Sequence, residues 1–410
     1  MRLLCVLNGG AEHPSTRFRV LQHLDRLRAH GIEPETLIAK RDEGYGPIAL
    51  RRRAAKCDAV LIQKKLLSSW KLRLLPPSVP VAFDFDDAIF EVSPAEAARY
   101  GSDKAERRAE ARRRRLRSVL GRAALVLAGN KFLADHASRL APPGASPRLE
   151  LLPTGVDLAP FPEERVRAAA ARRAASADGP RIGWIGSRAS LRYLAALAGP
   201  LRAACARVPG ARLVQVCNDF LDLPGVPTEK VTWSAEREAD DLLGFDVGLM
   251  PIDDRPFSHG KCGLKILQYQ AAGVPVVCSP VGANLEIVEN DVTGLFAAGD
   301  AEWTQAIVRL LTDRDRARRL AAAGRGRVEA RYSADRIGTR LAELLADLPA
   351  RRGRKGTKER RGGAARGSGR GNSEPEPREG RDQAQKHQRL LVADHLPERP
   401  AIGAVRIGSK

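Results

Sequence analysis

The sequence has few aromatic residues, few cysteines and no long apolar segment. Phe, Trp and Tyr make up only 5% of the 410 residues, so Leu, Val, Ile and Ala must supply most of any core. The six cysteines are scattered with no CxxC pair, which argues against a disulfide or zinc framework and favours a reducing, cytoplasmic location. No apolar run approaches the ~18–20 residues of a membrane span. The apolar segment Arg2–Leu7 is too short for a signal-peptide core, and we predict that it forms the first strand.

Histidine is scarce as well. The chain has seven histidines, and none belongs to an HExxH or C-x-x-C/H pattern. No Ser-His-Asp set can be assigned either. The histidines therefore predict neither a metal site of those two patterns nor a serine-type hydrolase.

Positive charge is abundant, with 69 Lys and Arg against 49 Asp and Glu and a formal net charge of +20. Residues 351–410 hold 16 basic and 7 acidic residues, and the first 350 hold 53 and 42, so both parts are basic. Such an excess suits anionic partners: nucleotides, phospholipid surfaces or nucleic acid. Because Arg351–Gly380 is nearly all Arg, Gly, Lys, Ser, Glu and Pro, we predict a disordered basic tail over 349–410.

Short apolar strands alternate with helical segments along the rest of the chain. The first strand leads into a helix predicted from Ser15 to Gly31, and the alternation restarts at Arg181 after the Ala- and Arg-rich stretch Arg165–Pro180. This rhythm predicts parallel sheets with helices on both faces, which bind ligands at the carboxyl ends of their strands. We therefore predict an α/β protein with two Rossmann-like domains facing a central cleft. Their bounds are 1–160 and 181–348, joined by a linker at 161–180.

The most informative segment is His259–Ala297, HGKCGLKILQYQAAGVPVVCSPVGANLEIVENDVTGLFA. Gly263 precedes a predicted helix and Gly273 ends it. A small residue at a helix start exposes backbone N–H groups, and the helix dipole favours a phosphate there. Lys261 and Lys265 flank that end of the helix, so this segment predicts a phosphate site.

The segment resembles the family 4 glycosyltransferases, which have the two-domain GT-B fold. Their pattern reads roughly E-G-F-G-L-x-x-x-E-A-x-A-A-G-x-P-V-V, followed by a Gly-rich turn and P-E-I-V-x-D-G-x-T-G. In that family the first Glu contacts the donor sugar and the second holds the ribose. This chain has Gly260 and Gln268 at those positions, so both carboxylates are absent, although Gln268 can still hydrogen-bond a ribose diol. The pattern matches through Gly263, Leu264, Ala271–Gly273, Pro275–Val277, Glu286–Val288 and Thr293-Gly294. The resemblance implies that Glu286 also binds the donor.

A second part of the resemblance lies in Arg181–Leu194, RIGWIGSRASLRYL. The family has G-R-L-x-x-x-K-G here, and its Arg and Lys grip the donor diphosphate. Ser187 stands at the Arg position, Arg192 at the Lys position, and Arg188 is one residue away. Arginine binds phosphate strongly and in bidentate fashion. A solvated surface is the alternative for both arginines.

The predicted strand Pro80–Phe85 ends in an acidic string that contains Asp84, Asp86 and Asp87. Three interpretations compete: a DxD metal site, the nucleophile motif of haloacid dehalogenase-type phosphatases, or the strand end that faces the donor sugar in the glycosyltransferases. Ala88 stands where the phosphatases need Thr. The resemblance places Asp86 at the catalytic position, where a carboxylate can stabilise oxocarbenium-like charge, and Asp87 on the acceptor side.

The first βα turn, Asn8-Gly9-Gly10, is followed by a string that is similar to the S-x-R-Y-R opening of one branch of this family. The resemblance implies that Gly9 and Gly10 let the backbone approach the donor and that Arg17 and Arg19 add charge on the acceptor side. The segment Pro153–Asp157 is similar to the family's interdomain hinge.

A basic helix is predicted over Ala105–Arg122, with an unbroken run from Arg112 to Arg115. Such a helix suits peripheral contact with an anionic membrane at the inner face, which fits a lipid-linked acceptor. Since its apolar residues are few, a solvated helix is the alternative.

The resemblance covers Met1 to about Leu348. It implies metal-independent transfer of a sugar from a nucleotide diphosphate sugar to a hydroxyl of a glycan or lipid-linked acceptor, with retention of configuration, as in polysaccharide biosynthesis. No cofactor is expected beyond that co-substrate. Two alternatives stay open. One is a catalytically degenerate sugar-nucleotide-binding protein, and the other is a nucleic-acid-binding protein that acts through the basic tail.

Overall fold

Two six-stranded sheets form the framework, and every strand pairing in them is parallel. The computed structural model describes residues 1–39 and 46–348. The tail predicted over 349–410 lies outside the described residues. The first sheet consists of β1 (Arg2–Leu7), β2 (Glu33–Ile38), β3 (Ala59–Gln63), β4 (Val81–Phe85), β5 (Leu125–Ala128) and β6 (Arg148–Leu151). The second consists of β7 (Arg181–Ile185), β8 (Arg212–Cys217), β9 (Thr228–Thr232), β10 (Val247–Met250), β11 (Val276–Cys278) and β12 (Leu295–Phe296).

Helices connect the strands on both faces of the sheets. The helices that accompany the first sheet are α1 (Pro14–Arg19), α2 (Leu24–Ala29), α3 (Pro47–Ala54), α4 (Ser69–Leu74), α5 (Pro94–Tyr100), α6 (Ser102–Arg122) and α7 (Lys131–Leu140). Those that follow are α8 (Glu163–Ala175), α9 (Leu191–Ala195), α10 (Ala198–Arg207), α11 (Glu238–Leu243), α12 (Pro256–His259), α13 (Leu264–Ala271), α14 (Asn284–Ile287), α15 (Asp300–Thr312), α16 (Arg314–Arg331) and α17 (Ala334–Ala346). The predicted helix over Ala105–Arg122 is thus the greater part of α6.

The strand order of each sheet reverses at one point. The first sheet runs β2-β1-β3-β4-β5-β6 and the second β12-β11-β10-β7-β8-β9. The reversal falls between β1 and β3 in the first sheet and between β7 and β10 in the second. Chains leave such neighbouring strands in opposite directions, so a crevice opens at the carboxyl ends. This topology confirms the predicted pair of Rossmann-like domains.

Burial explains why these segments are strands. In β1, β3 and β4 all residues but Arg2 are buried, since helices cover both faces of the sheet. The edge strand β2 was not predicted from the sequence, because its residues EPETLI are mostly polar and partly exposed. The helix predicted from Ser15 to Gly31 is broken. It is divided into α1 and α2 at Val20, whose φ of −131° is not helical, and α1 begins after His13 rather than after Ser15.

The last helix returns to the first domain. Ile337, Leu341 and Leu345 of α17 share a core with Leu3 and Leu27, whereas the predicted bounds placed this segment in the second domain. The stretch predicted as a linker also differs from its prediction, because it is packed against the second domain. Val166 and Ala169 of α8 are part of the second domain's core. The described chain therefore leaves the first domain once and comes back to it at its end.

Candidate functional site

A cavity of about 520 Å³ lies between the two sheets, at the carboxyl ends of their strands. The first domain lines it with the loops that follow β1, β3 and β4. The second lines it with the loops that follow β7, β8 and β10 and with the start of α13. Both points of strand-order reversal therefore open onto this one space. Thr154 of the predicted hinge lines it as well.

The first domain contributes an acidic side to the cavity, which consists of Asp86 and Asp87 paired with Lys64. Lys64 Nζ lies 3.3 Å from Asp86 Oδ1 and 3.2 Å from Asp87 Oδ2, and it donates to Ser15 Oγ at 3.0 Å. Burial favours the neutral form of Asp86, but Lys64 and Arg19 outweigh it, and the pKa of Asp86 lies below its usual value. Asp86 is therefore a carboxylate at neutral pH. The residue that orients it, Lys64, has a left-handed backbone with φ of 57° directly after β3.

Arg19 lies beneath this acidic side rather than in the cavity. Its side chain is 1% exposed, its Nε donates to both carboxylate oxygens of Asp84, and its Nη1 donates to the carbonyl of Leu152 at 2.6 Å. Burial opposes the charged form, yet the paired Asp84 holds the pKa of Arg19 above its usual value. The acceptor-side role expected for Arg19 is replaced by a structural one, because the buried ion pair occupies its guanidinium.

The second domain contributes a cationic wall, which we define as Arg188, Lys261 and Lys265. All three line the cavity, and none forms an ion pair with a residue that the structure describes. Lys265 Nζ donates to Ser190 Oγ at 3.4 Å and lies 4.6 Å from the centre of the Trp184 ring. Burial, with a smaller effect of Lys261, lowers the pKa of Lys265 to about 7. Positive charge on this wall is thus uncompensated.

Other predicted donor residues divide between the cavity and its surroundings. Ser187, Gly263 and Gln268 line it. Gly263 has a φ of +64° at the start of α13, and a Cβ there would run into Ile287, so glycine is required. Gln268 is 4% exposed.

Four predicted donor residues do not line the cavity. Arg192 stacks on Tyr193, with 4.1 Å from its Cζ to the ring centre, and its Nη2 donates to the Tyr193 hydroxyl. Glu286 is exposed on α14, and partial desolvation of its carboxyl group raises its pKa. Gly9 and Gly10 are buried in the turn after β1, beside the side chains of His13 and Glu12. His13 and Glu12 line the cavity in their place.

An ion pair between two residues that line the cavity joins the two domains. Arg17 of α1 donates from Nη2 to both carboxylate oxygens of Glu238 in α11, at 2.8 and 2.6 Å. Its guanidinium also faces the Phe18 ring at 4.4 Å and the Trp233 ring at 5.4 Å, and Trp233 Nε1 donates to Glu238 at 2.8 Å. The charge expected from Arg17 on the acceptor side is therefore matched by Glu238.

A second contact between the domains explains the missing carboxylate at Gly260. A Cβ at Gly260 would lie 2.5 Å from both the backbone N and the Cβ of Ala88 in the first domain. Nearby, Asn130 Nδ2 donates to the carbonyl oxygens of His259 and Lys261, at 3.0 and 3.1 Å. A glutamate has no room at this position unless the domains separate.

Three residues of the site were not predicted from the sequence: Lys64, Trp233 and Glu238. Lys64 follows a buried strand, and a charged residue directly after such a strand is a usable signal. Trp233 and Glu238 belong to no recognised pattern, and only the approach of the two domains brings them to the cavity.

In the described ranges 1–39 and 46–348, no cluster of three His, Cys, Asp or Glu side chains is placed to hold a metal ion. Within the same ranges, no helix has the length and apolar character needed to cross a membrane.

Comparisons with known proteins agree with this architecture. The sequence model described as Glycosyl transferases group 1 matches residues 224–313. A GDP-mannose-dependent alpha-(1-6)-phosphatidylinositol monomannoside mannosyltransferase of Mycobacterium tuberculosis is 32% identical over 219 residues, which are 49% of this chain and 57% of that protein. A D-inositol 3-phosphate glycosyltransferase of Mycobacterium bovis is 29% identical over 50% of this chain and 43% of its own length. The chain thus spans about half the length of the curated relatives it matches.

Solved structures support the fold. A sucrose-phosphate synthase of Thermosynechococcus elongatus superimposes with a TM-score of 0.66 at 19% identity, over 85% of this chain and 99% of that one. The Anabaena protein HepE, solved with UDP and glucose, gives a TM-score of 0.59 at 15% identity, over 85% of this chain and all of that one. The two parallel sheets have the GT-B fold of the solved structures, and residues 224–313 are similar to the group 1 glycosyltransferases.

Proposed function

We propose that this chain transfers a sugar from a nucleoside diphosphate sugar to a hydroxyl group of an acceptor, with retention of anomeric configuration. In that reaction the bond between the anomeric carbon and the diphosphate oxygen breaks. A new bond forms between the anomeric carbon and the acceptor oxygen, and the acceptor proton goes to the departing diphosphate. Retention is proposed from the resemblance to family 4.

The observation that carries this proposal is the charge arrangement across the cavity. The cationic wall is unpaired, and it faces a side on which Asp86 is ionised. A diphosphate needs cations, and a sugar that develops positive charge at its anomeric carbon needs a nearby carboxylate. Both requirements are met from opposite domains of one space, whose volume of about 520 Å³ suits a small ligand.

In this proposal each side of the cavity has its own task. Arg188, Lys261 and Lys265 neutralise the departing diphosphate, so we propose that the transfer needs no metal ion. Gln268 lies at the position at which the family binds the ribose. Asp86 stabilises the oxocarbenium-like sugar, and Lys64 holds it in place. Asp87 and Arg17 border the acceptor side.

The relatives suggest a donor and an acceptor. Because one relative is named for GDP-mannose and a phosphatidylinositol mannoside, we propose GDP-mannose as the donor to test first and a glycolipid as the acceptor class. A protein that works on such an acceptor is expected at the cytoplasmic face of a membrane.

Thermal unfolding of the full chain against GDP-, UDP-, ADP- and CDP-sugars tests donor binding. A ligand at 100 times its dissociation constant stabilises the folded state by about 2.7 kcal/mol. We expect a clear shift with one nucleotide, with and without Mg²⁺. That shift should be lost in Lys261→Ala and kept in Arg319→Ala, a control at an exposed arginine of α16. The donor so found is then incubated with glycolipids, and the labelled product identifies the acceptor. Absence of a shift with every nucleotide would contradict the proposal.

A second candidate function is donor binding without transfer. The fit between Gly260 and Ala88 favours it, because the closed domains leave no room for the carboxylate that contacts the donor sugar in the family. This candidate predicts the thermal shift but no product with any acceptor. Sugar transfer by the wild-type chain would exclude it.

A further inference from the structure

Aromatic rings, rather than carboxylates, face the lysines of the cationic wall. Lys261 Nζ lies 5.0 Å from the centre of the Phe257 ring and 5.9 Å from the centre of the Tyr193 ring. Lys265 has a neighbour of the same kind in Trp184. Since neither lysine forms an ion pair with a residue that the structure describes, these rings are the groups that restrain the two ammonium ions.

An aromatic ring holds an ammonium group differently from a carboxylate. The negative face of the ring attracts a cation that lies within about 6 Å of its centre. Because the ring has no net charge, the lysine stays positive and its N–H groups remain available on the side away from the ring. A carboxylate in the same place would cancel the positive charge and would repel a diphosphate. The rings therefore leave the wall charged for an anionic ligand.

The backbone of Lys261 is already fixed, so its side chain is the part that needs support. Its backbone N–H donates to the Ser258 carbonyl at 3.0 Å, and its carbonyl accepts from Asn130 Nδ2 at 3.1 Å. A lysine side chain has many rotamers and loses conformational entropy when a ligand fixes it. Rings that restrict the side chain beforehand reduce this loss and strengthen binding.

A chain of hydrogen bonds fixes the Tyr193 ring to the segment that carries Lys261. Arg192 Nη2 donates to the Tyr193 hydroxyl, because a guanidinium can only donate. The hydroxyl in turn donates to Ser258 Oγ at 2.8 Å, and Ser258 donates to Asp253. Tyr193 and Ser258 are buried, and Ser258 belongs to α12, the helix that also carries the second ring. Both rings are thus held in place independently of any ligand.

We propose that Phe257 and Tyr193 are positioning residues, whose rings hold Lys261 at the cavity so that it meets a diphosphate without rearrangement. Lys261 binds the anion, and the rings act through Lys261. Trp184 supports Lys265 in the same way. This role rests on the proposed function, because it concerns a lysine of the proposed donor site.

Calorimetric titration of the full chain with inorganic pyrophosphate measures this role without knowledge of the sugar. Phe257→Leu keeps an apolar side chain but removes the aromatic face, and we expect roughly fivefold weaker binding. Phe257→Tyr keeps the ring and should bind as the wild type does. The matched control is Tyr100→Leu, which removes a half-buried ring that faces Arg108 at 4.7 Å in the first domain and should leave the affinity unchanged.

A double-mutant cycle separates positioning from a merely structural effect. Phe257→Leu should cause no further loss of affinity in Lys261→Ala, because no ammonium is left for the ring to hold. It should still cause the full loss in Lys265→Ala, which retains Lys261. Tyr193→Leu should follow the same pattern with a smaller loss of roughly twofold, since its ring lies farther from Lys261 Nζ.

Equal binding by the wild type and Phe257→Leu would overturn this role, and so would an equal loss in the Lys261→Ala background. Weak binding by Phe257→Tyr, or no binding of pyrophosphate by the wild type, would also overturn it. The nucleotide sugars are titrated into the same samples. Donor binding without coupling between Phe257 and Lys261 refutes the positioning role alone. Coupling with pyrophosphate, but no binding of any nucleotide sugar, refutes the proposed transfer alone.

Discussion

Donor affinity should depend on pH through Lys265. Burial, with a smaller effect of Lys261, lowers the pKa of this ammonium to about 7 in the empty site. A diphosphate charge at about 4 Å contributes roughly 4 kcal/mol at an effective dielectric constant near 20, which corresponds to about three pKa units. Binding therefore raises the pKa toward 10 and takes up a proton above neutral pH. Affinity should be constant below pH 7 and should fall by about tenfold per pH unit above it.

Isothermal titration calorimetry between pH 6 and pH 9 measures this effect, with a nucleoside diphosphate sugar as the ligand. Its diphosphate is esterified at both ends, so the diphosphate itself does not titrate in this range. Lys265→Arg stays charged throughout and should remove the slope while keeping most of the affinity. Lys265→Met should bind weakly at every pH. A wild-type affinity that does not change with pH, or a slope that persists in Lys265→Arg, would refute the reasoning.

Three further predictions concern the acidic side, the interdomain contact and the buried ion pair. Asp86→Asn should lower the transfer rate by roughly 10²–10³-fold at unchanged donor affinity, as measured by single-turnover kinetics; a smaller loss would remove Asp86 from the catalytic role. Glu238→Gln breaks the ion pair with Arg17, which contributes about 1 kcal/mol to domain closure, so small-angle scattering should give a larger radius of gyration without donor; an unchanged radius would contradict this. Asp84→Asn leaves the Arg19 charge buried and unpaired and should cost about 3–5 kcal/mol in urea unfolding, while Arg19→Met/Asp84→Leu should recover much of it.

The main strands and helices could be predicted because local sequence patterns specify them. Buried parallel strands are short apolar runs, and the strands predicted over Arg2–Leu7 and Pro80–Phe85 agree with β1 and β4 to within one residue. The polar edge strand β2 lacks that pattern and was missed. Val20 is apolar and fits a helical face, so nothing local indicates the break between α1 and α2. The return of α17 to the first sheet is a long-range packing choice that its own amphipathic pattern does not specify.

Residues of the site could be predicted where their position depends only on the loop or helix that carries them. Lys261, Gly263 and Lys265 line the cavity because the loop before α13 and the first turn of that helix carry all three. Arg19 and Arg192 are different, because nearby acceptors, Asp84 and Tyr193, bind their guanidinium groups. Asp84 lies far from Arg19 in the sequence, whereas Tyr193 directly follows Arg192. The positive charge of an arginine does not show whether its guanidinium group binds a protein side chain or a phosphate. The pairing of Arg17 with Glu238 exists only once both domains are folded.

The position of a bound nucleoside diphosphate sugar in a crystal structure tests the central claim most directly. We predict its diphosphate within hydrogen-bonding distance of Arg188, Lys261 and Lys265, with the anomeric carbon directed toward Asp86. A donor bound in this orientation would place both charged sides of the cavity in the reaction. A diphosphate held by Lys64 on the opposite side, or one bound outside the cavity, would contradict the account.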